Sequence, residues 1–303
     1  MAGQLRAIRQ RIRGVQSIAK ITRAQELIAA SRIIRAQQRV RDAGPYAREI
    51  TQAVEAVVSR SAHIDHPLVR EPGRAQRAAI LILSSDRGFA GGYNNNVLRE
   101  AQALRARLRE RGVEPVTYVS GSKGLTWHRF RGLDVANSWT GFSEAPRHDN
   151  AREITDALFE AFNRPAENGG VDEIHIVYTE FVSMLTQNAV VHRIIPLVIE
   201  ETTEAPVSGP IPLYEFEPSP PDVLDALLPW YVESRIYQAL LEAAASEIAA
   251  RRRAMKSATD NANDLLEEFT REANKARQAE ITQEISEIVG GADALAESVA
   301  GKE

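Results

Sequence analysis

The chain contains no cysteine, which excludes disulfide bonds, thiolate metal sites, cysteine nucleophiles and thiol-based redox control. It also lacks a long apolar run, since the longest, residues 78–83, is far shorter than the roughly 20 residues that a membrane-spanning helix needs. No apolar segment follows the arginine-rich start, so we expect neither a signal peptide nor a transit peptide. The composition, 44% hydrophobic and 26% charged, is otherwise that of a folded globular protein.

Acidic and aromatic residues are scarce at the start of the chain. Glu26 is the single acid among many arginines before Asp42, and no aromatic residue precedes Tyr46. Such a basic segment can bind nucleic acid by displacing counterions from phosphates, but base stacking on aromatic rings is excluded there. We favour the alternative, that the arginines form the solvent-exposed face of a paired helix.

The apolar residues that follow Leu5 predict a long helix with one narrow apolar face. They recur at spacings of three and four: Ile8, Ile12, Val15, Ile18, Ile21 and Ile28. Gly44-Pro45 interrupts the pattern, but a proline can kink a helix without ending it, and the apolar spacing resumes as far as Ser61. We therefore predict one bent coiled-coil helix over residues 1–63.

The C-terminal part, residues 230–303, contains no proline and predicts a second long helix. Its apolar positions again recur every three or four residues: Ile236, Leu240, Ala244, Ile248, Met255, Ala258, Ala262, Leu266, Phe269, Ala273 and Ala276, then Ile281, Ile285 and Ile288 after a phase slip. At about 1.5 Å per residue this helix is longer than an ordinary domain is wide. The two end helices are therefore predicted to pair antiparallel into a shaft.

Between the end helices the pattern predicts a small Rossmann-like α/β domain over residues 77–201. Residues 64–76 form a predicted linker, and the proline-rich segment 202–229 a predicted crossover. Strands are predicted at 77–85, 116–120, 172–181 and 188–197, and helices at 91–111, 121–130 and 150–163. Strands that alternate with helices indicate an at least partly parallel sheet, in which the last two strands pair.

The most suggestive loop, residues 84–96 with the sequence SSDRGFAGGYNNN, follows a predicted strand and precedes a helix. Phosphate-binding glycine loops occur in this setting, but the segment has neither G-x-G-x-x-G spacing nor a Walker lysine. A structural turn is therefore favoured there, and equally for G-S-K-G at 121–124. Nothing in the spacing of the histidines indicates a metal site, and no serine-centred motif indicates catalysis.

Arg251, Arg252 and Arg253 form a second basic cluster with the same two interpretations. Their seam neighbours Ile248 and Met255 favour a helix surface over a nucleic-acid contact.

Three segments together resemble the gamma subunit family of F-type ATP synthases. They are IRQRIRGVQSIAKITRAQELIAASRIIRAQ at 8–37, SSDRGFAGGYNNN at 84–96, and RRAMKSATDNA with NKARQAEITQEISEIVGGADAL at 252–295. The likeness spans nearly the whole chain. It implies a non-catalytic rotor without a cofactor, which couples proton-driven rotation of the c-ring to the beta-subunit catalytic sites.

The resemblance also implies partners and a location. The partners are three alpha and three beta subunits of the catalytic head, an epsilon subunit and the c-ring, with no nucleic acid. Contact with the membrane is then made only through the complex, at the cytoplasmic face of the bacterial plasma membrane.

Three groups of residues match functional segments of the family. The rotor–stator contact comprises Arg23, Gln25, Lys275, Arg277 and Gln278; the bearing tip comprises Ile281, Ile285, Ile288, Val289 and Leu295; the collar turn comprises Ser85, Asp86, Arg87, Gly88, Gly91, Gly92 and Asn94. The chain departs from the family at Gln25, which is expected on the apolar stripe, at the neighbouring Glu26, at Ala90 and at Arg252. The local contact made by the first helix is therefore expected to differ.

Two other functions fit parts of the sequence. A nucleic-acid-tethering coiled coil would show salt-sensitive binding through residues 1–60, and a Rossmann-like enzyme with helical arms would be stabilised by nucleotide over residues 75–200.

Overall fold

A computed structural model describes residues 2–60, 75–197, 217 and 219–300. Within them lie α1 (Ala2–Arg60), β1 (Arg77–Leu83), α2 (Tyr93–Glu110), β2 (Glu114–Ser120), α3 (Ser122–Phe130), β3 (Asn137–Trp139), α4 (His148–Asn163), β4 (Glu173–Phe181), β5 (Gln187–Ile195) and α5 (Pro220–Ala300). The chain forms two compact units: Met1–Ile28 with Arg252–Glu303, and Ala29–Arg251. The predicted linker up to residue 74, and the predicted crossover up to residue 216, lie outside the described residues.

Helix α1 is continuous and carries Pro45 inside it, which confirms the prediction of one helix. Its less exposed side chains follow a strict alternation of three and four residues, which is the period of a coiled-coil seam. These seam positions are Leu5, Ile8, Ile12, Val15, Ala19, Thr22, Glu26, Ala29, Ile33, Ala36 and Val40.

The prediction that Ile18, Ile21 and Ile28 belong to this seam is wrong, because their side chains are 53%, 62% and 45% exposed. From Val15, steps of three residues lead to Ile18 and Ile21. Each such step turns the side chain by about 60° away from the previous one, because residues are about 100° apart around a helix. Ala19, Thr22 and Glu26 keep the alternation and lie at the seam instead.

Helix α5 begins at Pro220, so the prediction that an irregular crossover reaches residue 229 is wrong. Ser219 precedes the first turn, where its hydroxyl bonds the Asp222 carboxylate and its carbonyl accepts the N–H of Val223 at 3.0 Å. Prolines are tolerated in a first helical turn, where their missing N–H has no intrahelical partner. Pro220 and Pro221 therefore start the helix instead of preventing it, and Pro229 lies within it.

The two end helices pack against each other in an antiparallel manner, as predicted. In the larger unit, Ala29, Ile33 and Ala36 share a cluster with Ala245, Ile248 and Ala249. Val54 and Val57, further along α1, share a core with Leu224 and Leu228, which come earlier in α5. In the smaller unit, the hydroxyl of Thr259 donates to that of Thr22 at 2.8 Å.

The five strands form one sheet in the order β3-β2-β1-β4-β5, parallel except for β5, which pairs antiparallel with β4. The mixed α/β fold and the pairing of the last two strands are therefore confirmed. Ala79, Leu81 and Leu83 face a core that includes α4 and α5, whereas Ala78, Ile80 and Ile82 face α2. Strand β1 is thus covered on both sides, which explains its continuous apolar run.

Strand β3, Asn137–Trp139, has no predicted counterpart. Three residues are too few to show a period of two, so the sequence offered no signal for it.

Candidate functional site: the collar turn and the paired helices

Asp86 is the centre of the collar turn, and both of its carboxylate oxygens are hydrogen-bonded. One oxygen accepts the N–H and the hydroxyl of Ser122 at 3.0 and 2.9 Å, and the other accepts the N–H groups of Gly141 and Ser143 at 2.8 and 3.0 Å. Burial by itself would raise the pKa of Asp86, but these donors lower it below its ordinary value. The charged carboxylate therefore ties the turn to the loops that follow β2 and β3.

Two other contacts hold the turn against its neighbours. Ser85 N–H donates to Asn94 Oδ1 at 2.9 Å, which joins the start of the turn to the first turn of α2. Gly121 has a φ of 101°, and a Cβ built on it would lie 2.2 Å from the carbonyl oxygen of Ser84. Only glycine allows this close approach of the two backbones.

Arg251 of α5 packs against the collar turn and hydrogen-bonds its backbone. Its guanidinium donates to the carbonyl oxygens of Arg87 and Gly88 at 3.3 Å each. It also bonds Glu247 Oε1 at 2.7 Å and Glu144 Oε1 at 3.0 Å. The residue is only 7% exposed, so the predicted assignment of this arginine to a solvent-exposed helix surface is wrong. Arg252 and Arg253 are exposed.

Two carboxylates accompany this buried arginine. Glu247 is fully buried, and burial raises its pKa to about 7, although the charge and hydrogen bond of Arg251 oppose the rise. Glu144 pairs with both Arg251 and Arg32 of α1. We call Arg32, Glu144, Glu247 and Arg251 the buried charge cluster, after its two buried members Glu247 and Arg251; the Arg32 side chain is 41% exposed.

Helix α5 occupies the place where open α/β sheets commonly bind ligands, the crevice at the carboxyl ends of their strands. The loops after β1 and β3 contact Arg251, and the hydroxyl of Ser246 donates to the carbonyl of Thr179 in β4 at 3.0 Å. A phosphate loop turns backbone N–H groups towards its ligand. Here the carbonyl groups of residues 87 and 88 face a guanidinium, so the geometry of the turn does not suit a phosphate.

The described residues contain no group of three or more histidines and carboxylates arranged to hold a metal. Buried His128 bonds the carbonyl oxygen of Gly124 through Nδ1 at 2.8 Å, and His175 bonds Glu173 through Nε2 at 2.8 Å. Both histidines are parts of the packed domain.

The matched residues of α1 lie on two faces of the helix. Arg23 is exposed and pairs with Glu26 at 2.8 Å. Gln25 is exposed, so the expectation that it lies on the apolar stripe is wrong. Glu26, which is 8% exposed, lies at the seam instead. Because Thr22 and Glu26 occupy neighbouring seam positions, the contact that α1 makes there is polar and not apolar.

The matched residues of α5 lie well away from Arg23 along the helix pair. Lys275, Arg277 and Gln278 are exposed, and Arg277 donates to Asn274 Oδ1 at 3.1 Å. Because Thr22 lies against Thr259, residue 277 is about 30 Å further along the pair than the level of Arg23. The structure therefore does not bring the two parts of the rotor–stator contact together.

The bearing tip presents apolar side chains to solvent. Ile281, Ile285, Ile288 and Val289 are 48%, 56%, 72% and 54% exposed. Leu295 lies within α5, but its side chain is outside the part that the structure describes.

The buried charge cluster is absent from the sequence-based expectations. A signal for it was present, because Glu247 and Arg251 are an i,i+4 pair that interrupts an alanine-rich apolar stretch of α5. Glu144 and Ser143 sit in an irregular loop and gave no comparable signal.

A sequence model of the ATP synthase family, described as "ATP synthase", matches residues 4–295. The ATP synthase gamma chain of Acidothermus cellulolyticus is 63% identical over 295 residues, covering 97% of this chain and 98% of that relative. The chain belongs to the ATP synthase gamma chain family. The gamma chain of Thermobifida fusca, 56% identical over 306 residues, covers 100% of both chains.

Chains in solved structures of ATP synthase assemblies share the fold. A chain from the Euglena gracilis mitochondrial ATP synthase (OSCP/F1/c-ring, rotational state 3) is similar with a TM-score of 0.70 at 16% identity, covering 100% of this chain and 97% of that one. A chain from the Tetrahymena thermophila mitochondrial ATP synthase (central stalk/c-ring) is similar with a TM-score of 0.57 at 19% identity, covering 78% of this chain and 99% of that one.

Membership makes the chain a gamma subunit of ATP synthase. Among the described residues, no helix has the length and apolarity required to cross a membrane.

Proposed function

We propose that the chain is the non-catalytic rotor of a bacterial proton-driven ATP synthase. In this proposal residues 1–63 and the C-terminal helix form the shaft, and residues 77–201 form the collar. The partners are the three alpha and three beta subunits, the epsilon subunit and the c-ring, at the cytoplasmic face of the plasma membrane. The observation that carries the proposal is the antiparallel seam between the first and last helices, together with membership of the gamma chain family.

The energy of proton flow explains why a stiff element is needed. One charge that moves through 100 mV supplies about 2.3 kcal/mol, so several steps must be summed before one ATP can be made. Two helices packed against each other can transmit the torque of such steps, whereas a single helix in water would bend.

The surface of the helix pair also suits rotation. Exposed ion pairs are worth roughly 0–1 kcal/mol, so contacts through Lys275, Arg277 and Gln278 would hold no single angle strongly. On α1, the exposed Ile18, Ile21 and Ile28 make one flank apolar, while its arginines make other parts basic. Turning a pair with unlike flanks changes what each beta subunit contacts, which is how rotation would alter their affinities for nucleotide.

The bearing tip would complete this function at the far end of α5. Apolar side chains form no directional bonds, so Ile281, Ile285 and Ile288 could turn inside an apolar sleeve with little resistance.

The proposal is tested by truncating the chain after Lys275 in the complete complex, reconstituted in vesicles. We expect proton-driven ATP synthesis to be lost, because the bearing tip and the contact residues Arg277 and Gln278 are removed while the helix pair before them is retained. The control is a full-length complex, and native mass spectrometry of both complexes must give one copy of the chain per three alpha and three beta subunits. Undiminished synthesis by a correctly assembled truncated complex would contradict transmission of force through the tip.

A further inference from the structure

The buried charge cluster joins four segments of the larger unit: α1, α5, the collar turn and the loop that precedes α4. Arg32 belongs to α1, Glu144 to the loop, and Glu247 and Arg251 to α5. The collar turn takes part through the carbonyl oxygens of residues 87 and 88.

We propose that Arg251 is a positioning residue for rotational coupling, which fixes the collar to the helix pair so that the two turn together. This inference rests on the proposed rotor function and extends it to a specific side chain.

The apolar contact between the helices does not fix the collar by itself. In the larger unit the seam is built largely from small side chains, Ala29, Ala36, Ala245 and Ala249, with Ile33 and Ile248. Apolar packing is non-directional, and alanine offers little shape to resist a sliding or twisting displacement. The larger apolar side chains that join α5 to the sheet, such as Leu228, Val232 and Ile236, lie nearer the start of α5. Around residues 245–251, resistance to such displacement therefore comes mainly from directional bonds.

Arg251 provides those bonds. A guanidinium carries five N–H donors in a rigid planar fork, and here they meet two carboxylates and two carbonyl groups from three segments. Because the side chain is almost fully buried, water cannot replace a lost partner at low cost. A small rotation of α5 against the collar turn would break several of these bonds at once, so the arrangement is held in one position.

The other members of the cluster help to hold α5 and the collar turn in this arrangement. Glu144 bonds Arg251 through one oxygen and Arg32 through the other, so the loop is held by both helices. Glu247 contacts Arg251 from the preceding turn of α5, which orients the guanidinium towards the collar.

The test uses the complete complex in inverted membrane vesicles, where ATP hydrolysis and ATP-driven proton pumping are measured together. With Arg251→Gln we expect a loss of proton pumping that exceeds any loss of ATP hydrolysis, so that the ratio of protons pumped to ATP hydrolysed falls. A purely structural role would lower both activities in proportion and leave the ratio unchanged. Arg251→Lys, which keeps the charge but not the fork, is expected to restore the ratio only in part.

Arg252→Gln is the matched control, because Arg252 is the adjacent, exposed arginine of the same helix, and its ratio should equal that of the unmodified complex. If Arg251→Gln does not assemble, Glu144→Gln removes one carboxylate at constant volume and should lower the ratio as well. An unchanged ratio in whichever of these two variants assembles overturns the inference. Failure of the unmodified complex to pump protons would instead overturn the proposed rotor function.

Discussion

Glu173 illustrates at the residue scale how a carboxylate remains charged within an apolar sheet. Its Oε2 accepts from His175 Nε2 at 2.8 Å, and its Oε1 accepts from Arg111 Nη2 at 2.8 Å. The hydrogen bond from His175 lowers the pKa of Glu173 to about 2, with help from Arg111, although burial opposes the change. The Glu173 side chain is 2% exposed, so water has little access to its carboxylate and does not readily replace either hydrogen bond.

This low pKa predicts a loss of stability in acid. Because the folded pKa is about 2 and the ordinary value is 4.5, the folded state favours the charged form. The stabilisation is complete above pH 4.5 and is lost as the pH falls from 4.5 towards 2. We expect Glu173 to contribute about 2 kcal/mol over this interval, a figure reduced because Arg111 is half exposed.

The measurement is the free energy of unfolding of the full chain in denaturant, between pH 7 and pH 3. Glu173→Gln should be less stable at pH 7 and should lose less stability on acidification than the unmodified chain. Glu114→Gln is the control, since Glu114 is 67% exposed and pairs with Arg77 at the surface. Equal acid sensitivity of Glu173→Gln and the unmodified chain would contradict the prediction.

At the scale of the element, the seam of α1 determines which isoleucines stabilise the helix pair. Ile33 and Ile34 are adjacent and identical, but Ile33 is 3% exposed and Ile34 is 65% exposed. Ile33 packs in the cluster with Ala245 and Ile248, whereas Ile34 points away from it. The same substitution at the two positions therefore separates burial from helix propensity.

Ile33→Ala should lower the free energy of unfolding of the full chain by about 2–4 kcal/mol, because a cavity remains where the side chain was. Ile34→Ala should change it by no more than about 0.5 kcal/mol, as is usual for an exposed site, with a small gain because alanine favours the helix. Chemical denaturation of both variants checks the difference. Similar losses for the two would mean that the seam does not follow the alternation of three and four.

Much of the secondary structure and of the helix pairing was predictable from the spacing of apolar residues, from turn residues and from apolar runs. The end helices, their antiparallel pairing, strand β1 and the hairpin-like pair β4 and β5 all have strong local patterns, and the structure confirms them. The phase of α1 beyond Val15 was not predicted, since isoleucine is equally apolar at a seam and on a flank. The burial of Arg251 depends on carbonyl and carboxylate partners far away in sequence, which periodicity cannot register.

At the scale of the whole molecule, a helix from the end of the chain fills the crevice that the sheet leaves open. Ser246, Glu247 and Arg251 contact the loops or strands at the carboxyl ends of β1, β3 and β4. Their partners include backbone carbonyl groups, which repel phosphate. The α/β domain therefore uses the crevice at the carboxyl ends of its strands to hold α5.

This arrangement predicts that the full chain by itself does not bind nucleotide. A site with a dissociation constant about one hundredfold below the ligand concentration would stabilise the fold by about 2.7 kcal/mol. We expect no increase in the melting temperature of the full chain with Mg-ATP or Mg-ADP, because the guanidinium of Arg251 is already saturated by internal partners. Sodium sulfate at equal ionic strength controls for general anion effects on its many surface arginines. A stabilisation specific to nucleotide would show that the crevice can open, and would favour a ligand-binding role for the collar turn over a purely structural one.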